Sequence, residues 1–401
     1  MSAAVRAAIV GVGETAYRTH HPDATYTELA QAAGLEALAM AGMTPADVDA
    51  VVYSMAPTHF MGVTDAQFWA VGPVGGRHKP LMRLHTGGAT GGSAAEAGYQ
   101  HVASGLHDCV LVVGADKVAE TRDAQFILNL IWDPFFERDF ALNTVTMAAI
   151  QAVRHMEQYG STEEQMAEVA VRSWRRAKRN PRAHLRGDIS VAQVLESPLM
   201  SWPLKRYDCC PRSSGAAAVV IASERVIRER GLDAAWINGA GALANTVFMG
   251  DRLGPRRLTD MGDWDELRGA AATAYRQAGI TDPARQIDVA ETYAPFSINE
   301  IMAVEALGLC AAGEGGPAIA EGRFDEGGEV AVNPSGGTLC ANPIAVTGLV
   351  RVCDAALQLL DRAGGYQVPG AQTAVATAVG GSFQFQTCMV LGREPRGATP
   401  S

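Results

Sequence analysis

Two residue types that often perform catalysis are scarce in this chain. Of 401 residues, 9 are histidine and 7 are cysteine, with no cysteine before Cys109 and no histidine after His184. The cysteines do not have the spacing of metal ligands, so no metal site is expected. Their odd number and scatter argue against a disulfide framework and favour a reducing, cytoplasmic location.

Positive charge and long apolar runs are also lacking. The net charge of −10 argues against a nucleic-acid partner. The longest apolar run lies near residues 216–222, so no membrane span is predicted. Residues 1–13 lack the charged start and long apolar region of a signal peptide and predict a first strand instead. The remaining composition, 48% hydrophobic, is typical of a globular chain with one large or two fused domains.

An internal repeat indicates two similar halves. A helical pattern over residues 29–40 leads through a turn into a strand that ends at Tyr53, and a near copy over residues 267–277 leads into a strand that ends at Tyr293. Alternating strands and helices predict largely parallel sheets covered by helices, the α/β class. We predict one half from residues 1–118 with 206–232, an inserted loop domain at 119–205, and a second half at 233–401.

A glycine motif near the start is open to a second interpretation. Residues 11–16 read Gly-Val-Gly-Glu-Thr-Ala, a spacing found in dinucleotide-binding turns. That motif requires a helix directly after the glycines and an acidic residue at the end of the next strand. Pro22 and the polar residues 17–27 follow instead, so the pattern favours an ordinary strand.

The segment 332–348 carries the most informative pattern. It reads Val-Asn-Pro-Ser-Gly-Gly-Thr-Leu-Cys-Ala-Asn-Pro-Ile-Ala-Val-Thr-Gly, and helical periodicity follows from Leu349. This predicts a strand, a tight glycine turn and a helix start. Adjacent glycines, here Gly336 and Gly337, let backbone N–H groups approach an oxygen that gains negative charge.

This segment resembles the glycine-rich signature of the thiolase superfamily, and within it the sterol-carrier-protein-x (lipid-transfer) thiolases. Three more stretches resemble the same subgroup: Cys-Cys-Pro-Arg-Ser-Ser-Gly-Ala-Ala-Ala from Cys209, Phe-Ser-Ile-Asn-Glu from Phe296 with Glu-Ala-Leu-Gly-Leu-Cys from Glu305, and Cys-Val-Leu-Val-Val-Gly-Ala-Asp-Lys from Cys109. The resemblance implies a five-layer αβαβα fold, two fused halves with an inserted loop domain, and a homodimer. It also implies a coenzyme A thioester as substrate and no permanently bound cofactor.

The same resemblance places other residues where thiolases carry their catalytic groups. Gly88 stands at the position of the nucleophilic cysteine, Asn342 replaces the histidine of the signature, and Ala378, before Gly380 and Gly381, stands near the second cysteine. Acyl transfer through a cysteine thioester would lack its nucleophile, while the glycine pairs could still hold a thioester enolate.

Aldol cleavage needs this enolate but no nucleophile, and thiolase relatives that shorten steroid side chains perform it. Tyr293 occupies the position of a histidine in the lipid-transfer thiolases and is the predicted acid/base; its pKa would have to be lowered, or it would act mainly as a proton donor. Asn342 is a candidate donor to the thioester oxygen, and His85 a candidate base or orienting residue. Cys340 lies in the glycine-rich segment and is a second candidate catalytic residue, as the relocated nucleophile of an acyltransferase.

A cluster of arginines in the insertion is unusual for an acidic protein. It suggests that these arginines bind the phosphates of coenzyme A, because guanidinium groups pair bidentately with phosphate. The alternative is a solvated helix face. The candidate coenzyme A ligands are Arg172, Arg175, Arg176 and Arg179.

Three functions remain open from sequence. The first is retro-aldol cleavage of a β-hydroxyacyl coenzyme A thioester with a steroid or other bulky group. The resemblance adds a small partner protein with an OB fold and a zinc ribbon. The second is an acyltransferase with a relocated cysteine nucleophile, and the third is a non-catalytic lipid-binding or scaffold subunit.

Overall fold

A computed structural model describes residues 5–396 of the chain. Strands and helices alternate through both halves, as predicted. The strands are β1 (Ala7–Glu14), β2 (Ala50–Ser54), β3 (Leu81–Leu84), β4 (Cys109–Asp116), β5 (Leu199–Ser201), β6 (Leu204–Lys205), β7 (Gly215–Ser223), β8 (Ala235–Ala244), β9 (Val289–Glu291), β10 (Ala331–Val332), β11 (Thr373–Gly380) and β12 (Phe385–Gly392). The helices are α1 (Tyr26–Met40), α2 (Ala66–Ala70), α3 (Thr90–Ala103), α4 (Ala124–Asn129), α5 (Thr144–Tyr159), α6 (Glu163–Ala177), α7 (Val191–Leu195), α8 (Glu224–Arg230), α9 (Asp265–Ala278), α10 (Pro283–Gln286), α11 (Ser297–Ala306), α12 (Gly315–Ala320) and α13 (Ile344–Leu359).

The strand order shows that the two halves are copies of one plan. The first half runs β3-β2-β4-β7-β1 and the second runs β10-β9-β11-β12-β8, and antiparallel pairing of β1 with β8 joins them. In each half the three strands farthest from the junction pair in parallel, and the strands nearest the junction pair antiparallel. The sheet is therefore mixed, and the prediction of largely parallel sheets is wrong. The prediction of two fused α/β halves is confirmed.

The helices form layers on and between the two half-sheets. Helix α1 packs on β1, β7 and β4, and α9 packs on β8 and β12. Helices α3 and α13 contact each other and strands of both halves, so they form the central layer. The predicted five-layer αβαβα arrangement is therefore confirmed. Within residues 5–396, no helix combines the length and apolarity needed to cross a membrane.

The paired glycines of β1 serve close packing. A Cβ on Gly11 or Gly13 would collide with the carbonyl oxygens of Ala37 and Ala33, because α1 lies directly on the strand. Gly239 and Gly241 of β8 face the carbonyl oxygens of Ala274 and Ala270 in α9 in the same way. The Gly-x-Gly motif is therefore needed in both halves because a helix packs directly on the strand that contains it.

Helix α13 begins five residues before the predicted start at Leu349. Its first turn is held from the other half: the Asp116 carboxylate accepts a hydrogen bond from the Ala345 N–H at 2.9 Å, and the Ser54 hydroxyl donates to the Ala345 carbonyl at 2.7 Å. Pro343 precedes this turn, where its missing N–H costs nothing. These distant contacts could not be read from local periodicity.

Candidate functional site

Tyr293 lies in the loop after β9, close to the start of α13. Its side chain is 4% exposed, and its hydroxyl oxygen lies 2.9 Å from Asn342 Oδ1 and 3.1 Å from the Ile344 carbonyl oxygen, both of which can accept its proton. The backbone N–H of Tyr293 donates to Thr377 Oγ1. The predicted acid/base and the predicted amide are thus direct neighbours.

The side-chain amide of Asn342 has a fixed orientation. Its Oδ1 accepts a second hydrogen bond, from Thr347 Oγ1 at 2.7 Å, while its Nδ2 donates to Cys210 Sγ at 3.0 Å. The Asn342 backbone N–H donates to Ser213 Oγ. An amide carries two Nδ2 hydrogens, so one N–H remains for another acceptor.

Two glycine pairs meet beside the phenol. A Cβ built on Gly88 would lie 3.2 Å from the Tyr293 hydroxyl oxygen and 2.5 Å from the Val379 carbonyl oxygen. Gly87, at φ +64°, would place a Cβ 2.6 Å from the Gly381 nitrogen. The structure therefore brings Gly88, Gly380 and Gly381 together with Tyr293, backbone against backbone.

Burial determines the protonation of the polar groups here. It raises the pKa of Tyr293 well above the usual value of a phenol, and the nearby Cys210 raises it further. Burial also raises the pKa of Cys210 to about 12, although the hydrogen bond from Asn342 opposes the shift. Both groups keep their protons near neutral pH, so this geometry favours Tyr293 as a proton donor.

The other glycine pair of the signature lies elsewhere. A Cβ on Gly336 would meet Ala177 at the end of α6, at 2.6 Å, and a Cβ on Gly337 would meet the Asn333 side chain, at 2.9 Å. Both residues have positive φ. Their open sides face protein atoms of the loop domain and of their own turn, which indicates a packing role.

Within residues 5–396, no hydrogen bond joins the side chain of His85 or Cys340 to Tyr293 or Asn342. His85 follows the edge strand β3 and is exposed, and partial desolvation and the Arg83 guanidinium lower its pKa. Cys340 is 1% exposed and packs with Ala177 and Ala183, where burial raises its pKa. Their catalytic roles stay predictions.

The arginines of α6 and the turn after it have protein partners. Arg172 and Arg176 are 3% and 5% exposed and donate to Asp325 and to the Phe324 carbonyl. The more exposed Arg175 and Arg179 pair with Asp325 and with Glu326. The structure therefore places the predicted phosphate ligands against an acidic turn near residue 325.

Two residues at the site escaped the sequence analysis. Cys210 belongs to a stretch that resembles the lipid-transfer thiolases, but the resemblance assigns this residue no role. Asp116 is 0% exposed and holds the N-terminus of α13, and burial raises its pKa to about 7. Sequence position gave no signal for either contact, because both partners lie more than a hundred residues away.

Comparisons with known proteins agree with this architecture. Residues 3–196 match the family described as thiolase, N-terminal domain, and residues 255–393 match the family described as thiolase C-terminal domain-like. An acetyl-CoA acetyltransferase of Methanothermobacter thermautotrophicus is 32% identical over 94% of this chain and 96% of that protein. Human sterol carrier protein 2 is 28% identical over 94% of this chain and 70% of that protein. The solved structure of an Ltp2-ChsH2(DUF35) aldolase has a TM-score of 0.80 at 26% identity, covering 96% of this chain and 97% of that chain.

Proposed function

Because this chain belongs to the thiolase superfamily, we propose that it cleaves the carbon–carbon bond next to a coenzyme A thioester by a retro-aldol reaction. The proposed substrate is a β-hydroxyacyl coenzyme A with a steroid or other bulky side chain. The observation that carries the proposal is the Tyr293 hydroxyl beside Gly88, where a side chain is absent. The similarity to the solved aldolase supports it.

The proposed reaction moves one proton within the substrate. The β-hydroxyl loses its proton, the Cα–Cβ bond breaks, a carbonyl forms at Cβ, and the resulting thioester enolate gains a proton at Cα. Tyr293 acts as a relay: as the Cα–Cβ bond breaks, its oxygen accepts the β-hydroxyl proton while its own proton passes to Cα. This role suits a buried phenol that holds its proton near neutral pH.

The enolate oxygen needs hydrogen-bond donors that are already in position. We assign this role to the second Nδ2 hydrogen of Asn342 and to the backbone N–H groups at Gly88 and Gly380–Gly381. Gly336 and Gly337 are left out because they pack against Ala177 and Asn333. Such donors stabilise a developing oxyanion most strongly where water is excluded.

The test uses the full chain, alone and with its proposed partner. We would incubate it with a panel of β-hydroxyacyl coenzyme A thioesters and search for released ketone or aldehyde by mass spectrometry. We expect release from at least one bulky substrate. Absence of release across the panel, with thioester binding intact, would contradict the lyase proposal. Titration calorimetry showing no affinity for any thioester would favour a non-catalytic scaffold.

A second candidate is an acyltransferase with a relocated cysteine. The similarity to the acetyl-CoA acetyltransferase favours it, and Cys210, whose Sγ lies 3.0 Å from Asn342 Nδ2, is the cysteine nearest the proposed chemistry in the described contacts. A mass increase equal to one acyl group on a single cysteine peptide, after incubation with acyl coenzyme A, would support this candidate over the lyase.

The proposal includes partners and location. A small OB-fold, zinc-ribbon protein would complete the enzyme, and the similar Ltp2-ChsH2(DUF35) aldolase supports this because its name joins two components.

A homodimer is supported by β3 at the edge of the sheet, with Met82 45% exposed, since an uncovered edge strand can pair with another chain. The seven free cysteines support a reducing, cytoplasmic location. Light scattering and copurification test the two assemblies.

A further inference from the structure

The imidazole ring of His184 lies where three segments of the chain meet. His184 belongs to the inserted loop domain, in the turn after α6. Its Nε2 lies 3.0 Å from Oγ1 of Thr19, in the chain after β1, and its Nδ1 lies 2.9 Å from Oγ of Ser213, shortly before β7. The ring therefore joins the loop domain to the first half through two hydroxyl groups.

Two residues of the segment 332–348 are held from this point. The backbone N–H of His184 donates to the Cys340 carbonyl oxygen at 3.0 Å. The Asn342 N–H donates to Ser213 Oγ at 3.0 Å, and the Ser213 N–H donates to the Asn342 carbonyl oxygen at 3.1 Å. His184 and Ser213 therefore fix the backbone of the residue whose side-chain amide contacts the phenol of the site.

The hydrogen bonds of Ser213 determine which form of the ring fits. Ser213 is 0% exposed, and its oxygen accepts the Asn342 N–H, so its single hydrogen is left for His184 Nδ1. Nδ1 can accept a hydrogen bond only when the imidazole is neutral and carries its hydrogen on Nε2, which faces Thr19. The connection from Thr19 to Asn342 is thus complete only with a neutral ring.

Protonation of His184 would reverse the hydrogen bond to Ser213. An imidazolium donates from both ring nitrogens, so the Ser213 hydroxyl would lose its acceptor and would have to turn. A buried hydroxyl without an acceptor is costly, and the Asn342 N–H that it holds would shift with it. The ring is half-buried beside the exposed Thr19, so it can exchange protons with the solvent.

The surroundings of the ring favour the neutral form. Burial lowers the pKa of His184, and both ring partners are hydroxyls, which do not neutralise an imidazolium. On its own loop, Arg182 pairs with Glu14 and Glu36. The other charged or titratable residues next to these contacts supply no carboxylate; they are Arg186, Arg18, His20, His21, Arg212 and Cys340.

We propose that His184 is a positioning residue for Asn342 and Tyr293 that acts only while its imidazole is neutral. The inference rests on the proposed function, because it concerns how the proton donor of that site is held in place. Ser213 and Asn342 stand between His184 and the phenol, so the ring acts through them. Turnover falls as the pH drops through the pKa of His184, which lies below the ordinary histidine value of about 6.5.

The first test needs no turnover. The full chain is labelled at histidine and asparagine with the NMR-active nitrogen isotope, and His184→Asn and Asn342→Ala identify the two residues by the resonances that they remove. We expect a neutral ring with its hydrogen on Nε2, and an Asn342 backbone resonance that follows the titration of His184. A hydrogen on Nδ1, or an Asn342 resonance that does not respond to the ring, would overturn the inference.

The second test is the pH profile of turnover. His184→Asn keeps an oxygen near the position of Nδ1 but cannot titrate, so it should keep the rate and lose the fall assigned to the ring. His184→Leu offers no acceptor and should lower kcat about tenfold at every pH, with KM nearly unchanged. Thermal unfolding checks that each variant is folded.

The matched control is His101→Asn. His101 is also half-buried, and burial lowers its pKa too, but it lies in the last turn of α3. This variant should show the profile of the wild type. An unchanged acid limb in His184→Asn would overturn the inference. A chain whose Asn342 resonance follows His184 but which cleaves no thioester would overturn only the lyase proposal.

Discussion

The hydroxyl of Tyr293 donates its proton toward Asn342 Oδ1 across 2.9 Å, and Asn342 is held in this orientation by Thr347 on one side and Cys210 on the other. Gly88 has no side chain beside the phenol oxygen, where a Cβ would lie 3.2 Å from it. A substrate hydroxyl can donate to that oxygen, which links the proton taken up to the proton released.

Tyr293→Phe tests this link directly. The variant should lose product release by at least about a thousandfold, within the range of acid–base effects, because the proposal gives both proton transfers to this hydroxyl. The fold should survive at a cost of about 1 kcal/mol, since Asn342 Oδ1 keeps its hydrogen bond from Thr347. Rates come from mass spectrometry and stability from urea unfolding. Near-normal turnover would remove Tyr293 from the mechanism.

Gly88→Ala should damage the site through its Cβ. The added carbon would lie 2.5 Å from the Val379 carbonyl oxygen and 3.2 Å from the Tyr293 oxygen, so the loops must separate. We expect a loss of about 1–3 kcal/mol in unfolding free energy, together with loss of turnover. Gly250→Ala is the control, because a Cβ there meets nothing within 4 Å. Equal stability of the two variants would show that the loops move freely.

Cys210 should act through Asn342 and not as a nucleophile. Burial raises its pKa to about 12, so the reactive thiolate is scarce near neutral pH. We expect no acyl adduct on Cys210 or Cys340 after incubation with acyl coenzyme A. Cys210→Ser keeps an acceptor for the amide and should retain turnover, whereas Cys210→Ala should lower it about fivefold. An adduct on either cysteine, found by peptide mass mapping, would reverse this expectation.

Arg172→Met should affect stability without affecting coenzyme A. The guanidinium is 3% exposed, lies 3.9 Å from the buried Glu300 carboxylate and donates to the Phe324 carbonyl, so its removal leaves Glu300 without this cation and costs about 3 kcal/mol. Arg175→Met, on the exposed side of the same helix, should change stability by less than about 0.5 kcal/mol. Coenzyme A affinity should be unchanged in both. If Arg175→Met alone bound coenzyme A more weakly, the original prediction that the arginines of α6 bind its phosphates would be supported.

Asp116 should make stability depend on pH. Burial raises its pKa from 3.8 to about 7, so the folded state binds a proton that the unfolded state has released. Its contribution to stability is therefore complete below about pH 4 and is lost as the pH rises toward about pH 7, by at most about 4 kcal/mol. Asp116→Asn cannot titrate and should show a flatter curve over this window in urea unfolding. Parallel curves would assign the pH dependence to other groups.

The fold was predictable because the same short pattern of helix, turn and strand occurs twice in the sequence. The two copies of the helix, turn and strand pattern gave both halves, and the matching glycines at 11, 13, 239 and 241 sit under α1 and α9. The start of α13 was missed by five residues because Asp116 and Ser54 hold its first turn from the other half. Periodicity carries no trace of such distant contacts.

The site was predictable only in part, for the same physical reason. Resemblance located Tyr293, Asn342, Gly88 and the Gly380–Gly381 pair, and the structure brings these residues together. The arginines of α6 look like a free cationic face until Asp325 and Glu326 are placed beside them, about 150 residues later in the chain.

The central layer has a consequence for how this protein is made. Helix α3 belongs to the first half and α13 to the second, yet each contacts strands of both. When the first 232 residues have been synthesised, the sheet of the first half is complete but α13 is not. The apolar face that α13 covers stays exposed until more than a hundred further residues have been made. Contacts of such long sequence separation form slowly, and the intermediates expose apolar surface and tend to aggregate. The nascent chain should therefore depend on chaperones until its last third emerges.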